Sequence, residues 1–157
     1  MKLLLSLASL ILILVVSCGG TPATGQAEWD AYRGQIDSWR VQIDEKLAIA
    51  DAALAEGPSE NDNGEWLTSL QDLGVEIDSI TFVATTVHPP HELEDYHQSF
   101  ILATDFYKLV GRLLSEFTET SGEARTAFRV NIAGEIAFAE SNLVAAQVLF
   151  DKEADKR

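Results

Sequence analysis

Apolar residues recur along this chain at steps of three and four in four separate stretches. The first, about 26–56, aligns Trp29, Tyr32, Ile36, Trp39, Ile43, Leu47, Ala50 and Leu54 and stops at Gly57-Pro58. A period near 3.6 sets such positions on one helix face, and a glycine-proline pair ends a helix. The second, about 64–87, repeats the spacing through Trp66, Leu70, Leu73, Ile77, Ile80, Ala84 and Val87, with Asn63 as its N-cap and Pro89-Pro90 as its stop. Its β-branched run from Ile80 to Val87 is the stretch with the weakest helix propensity. The third, about 90–120, carries Leu93, Tyr96, Phe100, Ala103, Tyr107, Val110, Leu114 and Phe117, with a second stripe at Leu102, Phe106, Leu109 and Leu113. Two stripes predict a broad buried face. The fourth starts after Ser121 as N-cap and runs to about 154 through Phe128, Ile132, Ile136, Ala139, Leu143, Ala146 and Phe150.

Four amphipathic helices joined by short connections predict an all-α protein, an antiparallel up-down-up-down four-helix bundle, because each stripe must be buried by its neighbours. A three-helix bundle with one docked helix is the alternative. In the four-helix arrangement Trp29, Tyr32, Val87, His88, His91, Leu93, Tyr96, His97 and Phe150 gather at one end. Leu54, Trp66, Phe117 and Phe128 gather at the other. Gly34, Gly74, Gly111 and Gly134 fall inside helices, where glycine costs roughly 1 kcal/mol relative to alanine. Counted from the far end, Gly74, Gly111 and Gly134 lie near one level, which predicts either close helix approach or a void for a small ligand. Tyr107, Lys108, Arg112, Asn131 and Glu135 stand near that level, although Arg112 and Glu116 also read as an ordinary i, i+4 surface pair.

The first residues have a different character. Lys2 precedes a mainly apolar run from Leu3 to Val16, and Ser17-Cys18-Gly19-Gly20 follows. A positive start, a short apolar segment and small residues are the marks of a secretory signal. The apolar run is shorter than the roughly 20 residues that span a bilayer. The ending Val15-Val16-Ser17-Cys18 resembles a bacterial lipobox, with valine where such boxes usually carry leucine. The resemblance implies cleavage after residue 17 and a mature N-terminus at Cys18, with a thioether-linked diacylglycerol and usually an N-acyl chain such as palmitate. Residues 1–17 are then the signal peptide, 18–25 the lipidated N-terminus and flexible tether, and 26–157 the bundle. The expected location is the bacterial envelope, outside the cytoplasm, on the cytoplasmic or the outer membrane.

Composition agrees with that address. Cys18 is the single cysteine, so no disulfide is available, and stability rests on core packing. The formal net charge of −14 becomes −15 when Lys2 leaves with the signal. Such a surface repels nucleic acid and anionic head groups. The domain is therefore expected to stand off the bilayer, held by its lipid, which contributes about 0.8 kcal/mol per buried methylene.

Every histidine lies in His88-Pro89-Pro90-His91-Glu92-Leu93-Glu94-Asp95-Tyr96-His97. A helix opening accounts for most of it. Pro90 suits the first turn, Glu92, Glu94 and Asp95 complement the helix N-terminus, and Val87 with Leu93 suits a clasp across the turn. Through Pro89, Pro90, Glu92, Leu93 and His97 the segment also resembles the Pro-Pro-x-Glu-Leu-x-x-x-His helix openings of small uncharacterised bacterial secreted and lipid-anchored helical proteins. That resemblance implies a fold and a compartment, with no activity to carry over. The chemical reading is a metal site. Glu94 and His97 form a Glu-x-x-His, but a di-iron bundle needs two such motifs and two further glutamates, and the ligand count fails. His88, His91 and His97 with Glu92 or Glu94 are the set from which a zinc or copper site would be drawn. Histidines this close in a turn are more often solvated, and no metal is expected.

Other chemistry is excluded on residues. No Cys-x-x-Cys-His is present for covalent haem, and Met1 leaves with the signal, so a His/Met haem bundle lacks its axial ligand. Neither a nucleotide-binding glycine pattern nor a nucleophile elbow occurs. The loop from Gly57 to Gly64 offers Ser59 and Leu70 where an EF-hand needs acids, and reads as a solvated turn. The expectation is a non-enzymatic protein without cofactor or catalytic residues. Its partners are the membrane, through Cys18, and another envelope protein. The alternative is a metal- or small-ligand-binding lipoprotein using residues 88–97 or an intra-bundle cavity.

Overall fold

Helices form where the three-and-four spacing runs, and among the described residues there is no strand. The computed structural model describes residues 24–62 and 64–156. The signal segment, Cys18, most of the tether and Asn63 lie outside them. The helices are α1 (Thr24–Glu56), α2 (Glu65–Thr85), α3 (Glu94–Glu116) and α4 (Gly122–Ala154), with a 3₁₀ turn at His91–Leu93 leading into α3. Together they make a helical bundle.

The helix ends follow local chemistry. Gly57 stops α1 with φ 72°, and its N–H donates to the Ala53 carbonyl at 2.9 Å. A side chain there is opposed twice, by the left-handed backbone and by the Arg125 guanidinium that lies against it. The cap of α2 differs from the expected Asn63. Gly64, at φ 91°, is the boundary residue, and the Asp62 carboxylate accepts from the Gly64 and Trp66 N–H groups at 2.9 and 3.2 Å. An acid two residues upstream thus does the work of the cap. Ser121 caps α4 as expected, its Oγ accepting from the Ala124 N–H at 3.3 Å. Several boundaries move: α2 ends at Thr85, two residues early, and α3 proper opens at Glu94, four residues late, behind the 3₁₀ turn. α1 begins at Thr24 and so takes the last two residues of the expected tether. α3 ends at Glu116, four residues early, because Phe117 turns extended. Its ring then packs between Trp66 and Phe128, with centroids 5.7 and 4.2 Å away.

The apolar stripes are the core. Ile36, Ile43, Leu54, Leu70, Ile77, Leu93, Phe100, Tyr107, Val110 and Leu114 are all at most 2% exposed. The second α3 stripe is only partly buried, and its first member, Leu102, is exposed. Aromatic contacts mark the two ends. Trp29 meets Phe150, and Tyr32 meets Tyr96, at one end; at the other Phe117 meets Trp66 edge to face and Phe128 at a tilt. Cross-helix contacts between α1 and α2 pair Trp39 with Ile80, Lys46 with Glu76 and Ala53 with Trp66, so these two helices run in opposite senses.

Spacing within the bundle is uneven. α3 packs closely on both α2 and α4, while α1 stands further from α2 and α4. Gly74 and Gly111 set the close side. A Cβ on Gly74 falls 2.6 Å from the Ser115 backbone N, and one on Gly111 falls 2.8 Å from the Gly74 carbonyl oxygen. The two backbones touch, so of the two outcomes expected at this level the structure shows close helix approach and no void between them. Gly134 does not share the contact, because a Cβ there meets nothing within 4 Å. Arg112 and Glu116 do not close the expected surface pair. Both instead line an outer α2–α3 groove with Asp78, Asp105 and Lys108.

Candidate functional site

The histidine segment bridges α2 and α3, and the structure gives each imidazole a different partner. The Nδ1–H of His88 donates to the Thr86 carbonyl at 2.8 Å. That of His91 donates to the Glu94 carboxylate at 2.9 Å, an exposed i, i+3 pair that raises the His91 pKa. His97 turns inward, and its Nδ1 shares a 2.9 Å hydrogen bond with the Tyr32 hydroxyl on α1. Desolvation by burial, and then the neighbouring His88, hold the His97 pKa below its ordinary value. The imidazole is therefore neutral near pH 7. Burial pushes Tyr32 far up and Tyr96 up to about 12, so neither phenol ionises in the ordinary range.

Metal binding needs convergence, and the three rings do not supply it. His91 reaches Glu94, but among the described residues no three histidine, cysteine, aspartate or glutamate side chains converge on one point. The turn architecture is what the segment displays. Pro90 is extended (φ −55°, ψ 149°) and precedes the 3₁₀ turn, its carbonyl accepting from the Leu93 N–H at 2.9 Å. Leu93 is fully buried and Val87 half-buried. The helix proper therefore opens at Glu94, with Glu94 and Asp95 in its first turn.

Beside His88 lies a feature that the sequence reading missed. Because α1 stands off, an open groove of about 910 Å³ runs between α1 and α2 at the end that carries the start of α1. Its α1 wall is small and polar: Ala31, Gly34, Gln35, Ser38 and Gln42. Its α2 side is mainly apolar, with Ile80, Val83, Ala84 and Val87 beside Ser79 and Thr86, and His88 closes one end. Trp39 forms the floor and pins the spacing, its indole N–H donating to the Ile80 carbonyl at 3.2 Å. A Cβ on Gly34 meets nothing within 4 Å, so packing inside the molecule does not require glycine there. Val83 in the groove wall is 60% exposed. A signal for this wall was present in the chain, since Ala27, Ala31, Gly34 and Ser38 repeat the three-and-four step with small residues beside the aromatic stripe of α1.

The other spaces are smaller. Between α1 and α4, Leu47, Asp51, Leu54, Arg129, Ile132 and Ile136 line about 80 Å³, and the outer α2–α3 groove holds about 510 Å³. Pockets for organic ligands run about 300–1,000 Å³ and enclose most of their occupant. The large space here is an open trough, a shape that admits a chain segment along its length. Compared with known proteins, this chain matches no family model, no curated protein and no solved structure.

Proposed function

We propose that this chain is a lipid-anchored, extracytoplasmic helical-bundle protein that acts by binding, without catalysis. Its docking surface is the α1–α2 groove and its partner is an apolar helical segment of another envelope protein. The anchor rests on the lipobox-like ending at Cys18 and on the acidic remainder, which salt and lipid together hold near a membrane that it would otherwise avoid.

The observation that carries the binding reading is the groove itself. A folded chain gains by closing apolar surface, at about 25 cal/mol per Å². Here Trp39 holds α1 away from α2, and Val83 stays in water. Small residues at Ala31, Gly34 and Ser38 let a foreign backbone come close, while Gln35, Gln42 and Ser79 supply hydrogen bonds along the rim. A helix entering such a trough buries one apolar face and keeps its polar face wet.

The test has two parts. Radiolabelled fatty acid is expected to enter the wild-type chain and to be absent from Cys18→Ala; an unlabelled wild type contradicts the anchor. Separately, a photo-reactive side chain at position 38 is expected to yield one discrete protein adduct in the native envelope. Val83→Glu, which charges the groove wall, should abolish that adduct without unfolding the protein. An adduct that survives Val83→Glu, or none at all, contradicts the groove.

A further inference from the structure

On the other side of α2 from the α1–α2 groove, α2 and α3 flank a second groove of about 510 Å³. Gly74 packed on Gly111 shuts the space between the two backbones, so the side chains beside them line an outward cleft. Five charged groups of both signs meet there: Asp78 on α2, and Asp105, Lys108, Arg112 and Glu116 on α3. The α3 groups follow one another at steps of three and four, a spacing at which opposite charges come within reach of pairing. Among the described residues none of the five closes an ion pair, although Arg33, Lys46 and Arg129 each reach a carboxylate elsewhere on the surface. In a chain of net charge −14, two cations one turn apart without an acid partner stand out.

We propose that this cleft binds a small zwitterion with an apolar side chain, an α-amino acid or a short peptide. Its carboxylate meets Lys108 and Arg112, and its ammonium meets Asp78. Position supports that division. A Cβ on Gly111 would fall 3.1 Å from the Asp78 backbone N, so Asp78 stands level with the Lys108–Arg112 turn, across the cleft from it. A planar guanidinium beside an ammonium suits a carboxylate, which it can grip at both oxygens. Val75, 63% exposed, and the half-buried Leu109 supply apolar surface beside the charges.

Charge selects a zwitterion over a simple ion. The net charge of −14 repels a free anion, and Asp105 and Glu116, one turn before and one turn after the two cations, add to that repulsion. Lys108 and Arg112 in turn repel a free cation. A molecule with no net charge meets neither penalty and satisfies both signs. Single exposed charge contacts contribute little and are screened by salt, so the ligand has to engage both signs at once, and the open cleft holds it weakly. The volume falls within the roughly 300–1,000 Å³ of small-ligand sites.

Calorimetric titration of the full chain at low salt, with leucine and with trileucine, tests the site. At least one is expected to bind saturably with a Kd below about 1 mM. Binding of leucine alone assigns the cleft to free amino acids, and binding of trileucine alone assigns it to peptides. For whichever binds, the C-terminal amide, which lacks the carboxylate, and the N-acetyl form, which lacks the ammonium, should bind at least about fivefold more weakly. Arg112→Gln and Asp78→Asn should each weaken the zwitterion by about the same factor, with the circular dichroism spectrum and thermal midpoint unchanged, whereas Val83→Glu in the α1–α2 groove should leave it bound. Three results overturn the proposal: no saturable binding of either compound up to about 10 mM, a single-charge analogue that binds as tightly as the zwitterion, or binding untouched by Arg112→Gln.

Discussion

The two sides of α2 show opposite ways of joining helices. Toward α3 the backbones touch, because Gly74 and Gly111 remove the side chains that would hold them apart. Toward α1 they are propped open by two tryptophans, Trp39 donating to the Ile80 carbonyl and Trp66 to the Ala53 carbonyl at 2.8 Å. Lys46 and Glu76 close a 2.7 Å ion pair across the same side. The close side leaves a smaller outer groove of about 510 Å³, lined by charged residues such as Asp78, Asp105, Lys108 and Arg112. The propped side leaves a trough of about 910 Å³ with a mainly apolar α2 wall and a small, polar α1 wall, so the two faces of one helix meet their neighbours in different ways.

Removing the props is expected to cost most. Trp39→Ala deletes a 5%-exposed ring packed on Phe100 and Tyr107, with centroids at 5.0 and 5.6 Å. The loss should be about 3–5 kcal/mol, and Leu114→Ala on the close side should cost about 2–5. Urea midpoints for both variants would check this, and a Trp39→Ala protein of wild-type stability would mean that the prop is ornamental.

Glycine substitutions sharpen the contrast through their sign. Gly111→Ala must push apart two backbones, which costs about 1–3 kcal/mol, more than the roughly 1 kcal/mol that alanine gains in helix propensity. Gly34→Ala meets open space and should stabilise the fold by up to about 1 kcal/mol. Thermal midpoints should therefore move in opposite directions. A loss of stability in Gly34→Ala would show that the α1 wall is packed and the groove closed in solution.

Acid probes the tether-side end of the propped interface. Unfolded histidine titrates near 6.5, and burial holds His97 below that in the folded chain. Its contribution is therefore whole above about pH 6.5 and is lost as pH falls through the lowered folded value. His91 runs the other way: its pair with Glu94 contributes below about 6.5 and fades as pH rises through the raised value, weakly, because the pair is exposed. His97→Gln should accordingly flatten the acid side of the stability curve. An unchanged acid limb in that variant would contradict the buried Tyr32–His97 contact.

The smallest effects belong to exposed groups. His88→Ala, His91→Ala and Lys108→Ala should each shift stability within about 0.5 kcal/mol. Leu93→Ala beside them should cost far more, since Leu93 is fully buried. Equal shifts across this set in denaturant titrations would mean that the turn assignment is wrong.

Helix number and core faces were legible in the sequence because burial imposes a period that Trp29 through Phe150 display directly. Local overrides were less so. Nothing in the spacing of Phe117 says that it leaves the helix to fill a ring stack, and Asp62 caps α2 from two residues before its boundary residue. Residue counting placed Gly74, Gly111 and Gly134 at one level, but level is not direction. Gly74 and Gly111 point at each other, while Gly134 points to water. The histidine segment read as a helix opening on its prolines and acids, and the inward turn of His97 toward Tyr32 follows from packing between α1 and α3 that no local pattern encodes. The small residues Ala27, Ala31, Gly34 and Ser38 mark one wall of the groove in the chain, but its opening depends on the spacing that Trp39 sets between two helices.

Native mass spectrometry of the protein drawn from its own envelope tests the central claim, that this molecule works by binding another protein through surfaces its own core leaves open. The result the account predicts is a lipidated chain retaining a second, different protein, with that partner lost in Val83→Glu and no metal retained. A bare chain carrying a stoichiometric metal ion, released by His91→Ala, would contradict it.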